Sequence, residues 1–209
     1  MKLLRYGIEL ETMTVEHLEM VRLWRNQDYI REKMQFRELL SSRDQQKWFR
    51  NLDPEFNLYW IIRYNSYPIG LVNLKDIDLE KAHGEAGVFI GEPSYLEMPQ
   101  AMLAILFMME LAFLAFGFDT LRAKIHHRNH RAIRFNLDLG YTLISDQPKG
   151  FQYYSVNHSQ FENATRELRR RSIKLYGSRT AFESMDDGNR WTDRLNALSM
   201  EAAAYFSAS

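Results

Sequence analysis

There is not one cysteine in this chain, and that absence removes disulfides, thiolate metal sites and a cysteine nucleophile together. Net charge is missing too. The 27 lysines and arginines balance 27 aspartates and glutamates, so bulk attraction to nucleic acid or to an acidic membrane surface finds no support. Six histidines are present, without a metal-ligand pattern. His126, His127 and His130 stand close, but spacings of i, i+1 and i+4 across a strand–helix junction make poor ligand geometry, and no metal is expected. No basic-then-apolar leader opens the sequence, because residues 1–13 alternate as a strand does; a cytoplasmic protein is the expectation. Long apolar runs are absent with one exception. Residues 101–118 approach the length of a membrane span, about 18 residues. Glu110 would then sit mid-span at a cost of about 2.5–3.5 kcal/mol. No basic cluster flanks the run, and strands are expected close on both sides. A helix buried all round follows, with no membrane contact.

What is present is a mixed pattern of strands and helices in 209 residues, 45% of them hydrophobic, enough for one domain with an appendage. Residues 120–141 carry the clearest pattern. Leu121, Ala123 and Ile125 alternate with Arg122, Lys124 and His126, the period of a strand with one apolar face. Asn129 sits at a helix N-cap position, Ala132, Ile133, Phe135 and Leu139 follow at helical spacing, and Gly140 closes the helix. Elsewhere the spacing predicts a strand over 1–13, a helix capped by Thr14 and a helix over 41–52. Strands follow over 58–64, 68–77 and 85–90, then the apolar helix over 99–116. Strands over 141–145 and 151–156, parted by a turn at Pro148-Lys149-Gly150, complete the order βααβββαβαββ. That order argues for an α/β layer fold with a partly antiparallel sheet and helices on both faces.

The strand, the Asn-opened helix and the Gly140-Tyr141 close resemble the last core segment of the GNAT superfamily of acyl-CoA-dependent N-acyltransferases. Further marks stand in the same order: Trp24-Arg25-Asn26, Gln46 with Trp48-Phe49, Pro68-Ile69-Gly70, and Glu85-Ala86-Gly87. Within the superfamily the likeness is to enzymes that acetylate amino sugars of nucleotide-linked glycans and to those acetylating ribosomal-protein N-termini. It covers residues 1–157, leaving 158–209 as a helical C-terminal extension.

The resemblance implies acetyl-CoA, or another acyl-CoA, in a gap between two parting parallel strands, with its pyrophosphate at a helix N-terminus. It places the cofactor against Val88, Phe89 and Ile90, against Met98, Gln100 and Ala101, and against Asn129 and Ile133. It makes Glu85 the general base and Tyr154, or Tyr153, the general acid. Trp24, Arg25 and Asn26 would line the site of a small-molecule amine acceptor, such as a sugar nucleotide. Plainer duties stand beside these: Trp24 as core, Arg25 as a surface cation, Glu85 as a salt-bridged carboxylate, Asn129 as a cap. Three positions depart from the family pattern. Glu97 and Pro99 replace glycines of the pyrophosphate loop, and Asn136 stands where a tyrosine is usual. A non-catalytic binding or assembly protein of the same fold is therefore the second reading. A transferase using a longer acyl chain or a carrier-protein donor is the third.

In the extension, residues 162–176 read as a basic helix whose arginines form either a solvated face or an anion site. Residues 184–189 read as a turn, and 190–206 as a helix with Trp191, Leu195, Leu198, Ala202 and Tyr205 on one side. That stripe is expected to cover the apolar helix, within the chain or across a homodimer.

Overall fold

The computed structural model describes residues 1–145, 150–178, 180–183 and 190–199. The chain opens with a hairpin rather than one strand. β1 (Lys2–Arg5) and β2 (Ile8–Thr12) pair antiparallel through Tyr6 and Gly7, whose φ angles of 55° and 71° suit a tight two-residue hairpin turn. Tyr6 is itself buried, so the alternation of apolar residues runs straight through the reversal and hides it.

Thr14 caps a turn that enters α1 (Leu18–Asn26), followed by the short α2 (Asp28–Arg31). Ser41 and Asp44 form a capping box for α3 (Ser42–Arg50). Strands β3 (Leu58–Tyr64), β4 (Tyr67–Asp78) and β5 (His83–Ile90) come next. The helix expected over 99–116 is α4 (Gln100–Glu110) continued by one π-helical stretch, Leu111–Ala115; an all-round apolar sequence cannot reveal a change of winding. Then come β6 (Thr120–His126), α5 (His130–Asp138), β7 (Thr142–Ser145) and β8 (Phe151–Asn157). Residues 158–209 supply α6 (His158–Tyr176), β9 (Ala181–Glu183) and α7 (Arg190–Ser199).

The strands form one mixed sheet in the order β7-β8-β6-β5-β4-β3-β2-β1-β9. The only parallel neighbours among the described strands are β5 and β6. Helices cover both faces. On one, α4, α6 and α7 enclose the main core, with Trp60, Phe107, Leu121, Tyr154, Phe161 and Trp191 buried together. On the other, α1 and α3 close a smaller cluster of Leu18, Val21, Trp24, Ile61 and Leu71.

The cover for α4 is supplied within the chain. Phe161 of α6 stacks on Phe113 at 5.2 Å, and Trp191 of α7 meets Phe116 at 4.7 Å and Phe118 at 5.8 Å. Arg194 ties the same helix down by donating to the Ala115 carbonyl at 2.9 Å. Ala202, Tyr205, the turn at 184–189, and Pro148 and Lys149 lie outside the described residues. The lone charge of the apolar run also finds its reason. Glu110 is fully buried, 2.7 Å from Nε of an equally buried Arg5, and accepts from the Tyr6 hydroxyl at 2.7 Å. In α6, Arg169 is buried against Glu162, while Arg170 and Arg171 pair with Glu167. No helix among the described residues is long and apolar enough to cross a membrane.

Candidate active site

The site begins where the sheet comes apart. β5 pairs with β6 at three positions only, His83↔Thr120, Gly84↔Leu121 and Glu85↔Arg122. On its other side β5 stays paired with β4 as far as Gly70↔Ile90. The opening is therefore one-sided: from Ala86 and Ala123 onward two parallel strands diverge, and the backbone groups of residues 86–89 that β4 does not bond face the gap, while the Ile90 carbonyl accepts from the Tyr29 hydroxyl at 3.1 Å.

Glu85 stands at the last rung before the split, on the face covered further along by α1 and α3. Its carboxylate lies 2.9 Å from the Lys75 ammonium, which is also 2.8 Å from Asp76. Burial alone would lower the Lys75 pKa, but hydrogen bonds to Asp76 and Glu85 carry it above its ordinary value, so Lys75 keeps its charge. The register sets Tyr59, Asn73 and Gly87 side by side on the same face. Burial pushes the Tyr59 hydroxyl up to about 12. Asn73 is 9% exposed with Nδ2 lacking a partner among the described residues. A Cβ at Gly87 would come within 2.7 Å of the Asn73 Oδ1, so glycine is what lets this amide lie flat beside β5. Sequence reasoning missed Tyr59, Asn73 and Lys75. The available signal was Asn73 and Lys75 alternating with Leu71, Val72, Leu74 and Ile77 in a run that is otherwise core.

The three residues expected around the acceptor take different roles. Trp24 is buried in the smaller cluster, its indole donating to Glu92 at 2.9 Å. It presses so closely on Gly91 that a Cβ there would lie 2.1 Å from the ring. The Asn26 amide is spent on the backbone of Leu40, at 2.9 Å to the carbonyl and 2.8 Å from the N–H, which anchors the loop after α2. Arg25 keeps a buried Nη1 without a partner among the described residues, and burial pulls its pKa down, with Tyr59 opposing.

Across the sheet, the residues expected to meet the cofactor gather near the gap. Val88 and Ile90 face the α4 side and Phe89 the opposite one. Met98 is exposed, Ala101 half-buried, and Gln100 is 3% exposed at the first turn of α4, its Oε1 without a partner among the described residues. Asn129 caps α5 by accepting from Ala132 N–H at 3.3 Å, and Ile133 is half-buried on the same helix. Glu97 does not stand alone, as the sequence suggests: it pairs with Arg131 in the first turn of α5. The Asn136 amide donates to the Ala132 carbonyl at 2.8 Å.

Tyr154 is buried on the α4 side next to Ala123, its hydroxyl donating to Gln152 at 2.8 Å. Tyr153 lies on the opposite face, so it and Tyr154 do not share a side. Tyr141 is also buried, with no partner for its hydroxyl among the described residues; burial first, then the Glu85 charge, raises its pKa.

A mixed sheet splayed between two parallel strands, with a helix start beside the gap and a carboxylate at its root, defines a class of α/β acyl-transfer folds. The model of the acetyltransferase (GNAT) domain matches residues 8–142, and the chain belongs to that family. None of the curated proteins matches it in sequence. Among solved structures it is similar to apo FdhC, a nucleotide-linked sugar GNAT, at 21% identity and TM-score 0.69 over 81% of this chain and 97% of the other. It is also similar to spermidine N-acetyltransferase from Vibrio cholerae, solved with CoA and spermine, at 13% identity and TM-score 0.67, covering 75% of this chain and 99% of that one. The aminoglycoside acetyltransferase AAC(6')-Ib with coenzyme A matches at 22% identity and TM-score 0.64, over 75% and 98%. At these identities the likeness is one of fold.

Proposed function

We propose that the chain is an acyl-CoA-dependent N-acyltransferase that acetylates a primary amine of a small polar acceptor, a sugar nucleotide being the finer reading. The observation that carries this is the parting of β5 and β6 directly after Glu85. Bound there, acetyl-CoA supplies the acyl group as an activated thioester. The residues at the gap fit it: the gap-side backbone groups of residues 86–89 for the arm, and the orphan Oε1 of Gln100 as acceptor for an amide N–H. The N–H groups at the start of α4 favour the pyrophosphate, and Arg131, paired with Glu97, brings a cation to the loop before that helix.

Glu85 takes the proton lost by the amine, directly or through a water, as the new C–N bond forms and the C–S bond breaks. Lys75 fixes the orientation of that carboxylate. Tyr154 protonates the departing thiolate, and Tyr141 is another buried hydroxyl on that side. A non-catalytic relative is favoured by Pro99, which brings no N–H to the start of α4, and by Asn136, whose amide is spent within its own helix.

Acetyl-CoA at 100 times its Kd should stabilise the fold by about 2.7 kcal/mol, or roughly 5–10 °C in Tm for a chain of this size. Free-thiol release with a panel of amines then reads transfer itself. Glu85→Gln should slow turnover by about 10²–10⁴-fold while the thermal shift remains. No shift with millimolar acetyl-CoA makes the chain a binding protein, and unchanged turnover in Glu85→Gln removes Glu85 as base.

A further inference from the structure

Beyond Glu85 the acceptor face runs on across β6 and β8, past the reach of α1 and α3. Register puts Arg122, Lys124 and His126 of β6 beside Ser155, Tyr153 and Phe151 of β8 on this face, all half-buried or exposed. The rings and the cation form one unit. Lys124 Nζ lies 5.4 Å from the Phe151 ring centre and 5.5 Å from that of Tyr153, and His126 stands edge-on to Phe151 at 5.3 Å. The loop after α2 forms the rim, Gln35 accepting from Lys124 at 2.8 Å. Lys33 and Arg37 of that loop lie close enough for their charges to act on His126. Burial first, and then Arg37, His127, Arg128 and Lys33, push the His126 pKa down.

The charge here is uncompensated. Among the described residues, Lys33, Arg37, Arg122, Lys124 and Arg128 have no carboxylate within 4.0 Å, whereas Lys2, Arg22, Arg31, Arg63, Lys75 and Lys81 each have one. Glu85, the nearest acid along the sheet, is taken by Lys75. Arg122 and Lys124 of β6, with the loop cations around them, thus bring positive charge without a carboxylate partner to the open side of the candidate active site.

We propose that this shelf is the subsite for the part of the acceptor remote from its amine, a planar ring carrying phosphate, as in a nucleoside diphosphate. Tyr153 and Phe151 give the ring a stacking surface, and Lys124 with Arg122 meets the phosphates. Lys124 lies two residues along β6 from Arg122, the register partner of Glu85, about 7 Å at strand spacing. That leaves room for one sugar ring between amine and phosphate. The same cations disfavour a polyamine acceptor. The inference takes its amine end from the transferase reading, but the shelf binds or fails to bind without any transfer.

The test is titration of UDP, inorganic pyrophosphate and spermidine into the full chain, with CoA saturating so that its own site is blocked. UDP should bind at least about tenfold more tightly than pyrophosphate, the scale of one stacked ring, and spermidine should not displace it. Lys124→Ala and Tyr153→Ala should each weaken UDP about tenfold or more and leave the CoA-induced thermal shift intact, which also checks folding. UDP no tighter than pyrophosphate overturns the ring shelf, and UDP affinity unchanged in both variants overturns the location. Displacement of UDP by spermidine overturns the charge argument. CoA binding without UDP binding sinks the shelf and spares the transferase reading; UDP binding without CoA binding does the reverse.

Discussion

Glu110 shows how a single side chain can mislead in sequence and explain itself in structure. It interrupts an apolar run because Arg5, buried beneath α4, needs a carboxylate, and Tyr6 and Thr180 complete the set. Glu110→Ala would leave a buried guanidinium without its carboxylate, and chemical denaturation should register a loss of about 3–5 kcal/mol. Tyr141 runs the other way. Its buried hydroxyl has no partner among the described residues, so Tyr141→Phe should be neutral or stabilising by about 1 kcal/mol in the same assay; a large loss would reveal a bond through water. At Glu97 the pairing with Arg131 softens the repulsion toward phosphate that the sequence implies. Exposed pairs contribute about 0.2–1 kcal/mol, so Glu97→Gly should tighten CoA binding only a few-fold by calorimetry. Around the candidate site, the placement of Glu85 on its strand and of Asn129 at its cap was legible because strand alternation and helix capping leave marks one residue wide. Lys75 and Asn73 were not, because their importance comes from a partner strand.

The elements divide in the same way. β6 and α5 were readable because one apolar stripe and one cap set their limits. The β1–β2 reversal was not, since the buried Tyr6 keeps the alternation intact. The π-helical stretch was hidden in a segment with no polar side to show a phase change. β9, three residues long, carries too little periodicity for any pattern. The covering of α4 by the stripe that begins at Trp191 could be foreseen from apolar area, whereas the share taken by Phe161 of α6 could not. α7 meets the π-helical end of that helix through Trp191, whose indole also donates to the Glu55 carbonyl at 2.8 Å. A chain ending at residue 189 should expose Phe116 and Phe118 and show larger species by light scattering. A monodisperse, equally stable truncation would mean that α6 suffices.

At the scale of the whole molecule, acid should undo this fold progressively. Arg22, then Ser42, hold Glu19 at about 2, and Lys81 lowers Asp78. Burial alone would raise Glu11, but Arg63 carries it down. Burial also lowers His83 and His126 from 6.5. In each case the folded state binds its proton less readily than the unfolded chain. The stability these groups contribute is therefore complete above the unfolded pKa, and it is lost as pH falls through the folded one. Tm should begin to drop as pH falls below about 6.5 and fall further toward pH 2, with the carboxylates responsible below about pH 4.5. A flat Tm from pH 7 to 4 would show that these contacts do not differ between folded and unfolded chain. The order of elements along the chain was legible in outline, but the sheet's far edge was not, because β1 is flanked by β9 through Lys2↔Glu183, Leu3↔Phe182 and Leu4↔Ala181. Joining segments so distant in the chain carries the entropy of closing a very long loop. During synthesis the first hairpin must therefore wait with one side bare until residue 183 has left the ribosome. A stalled or clipped polypeptide would offer that side to any other extended strand in reach.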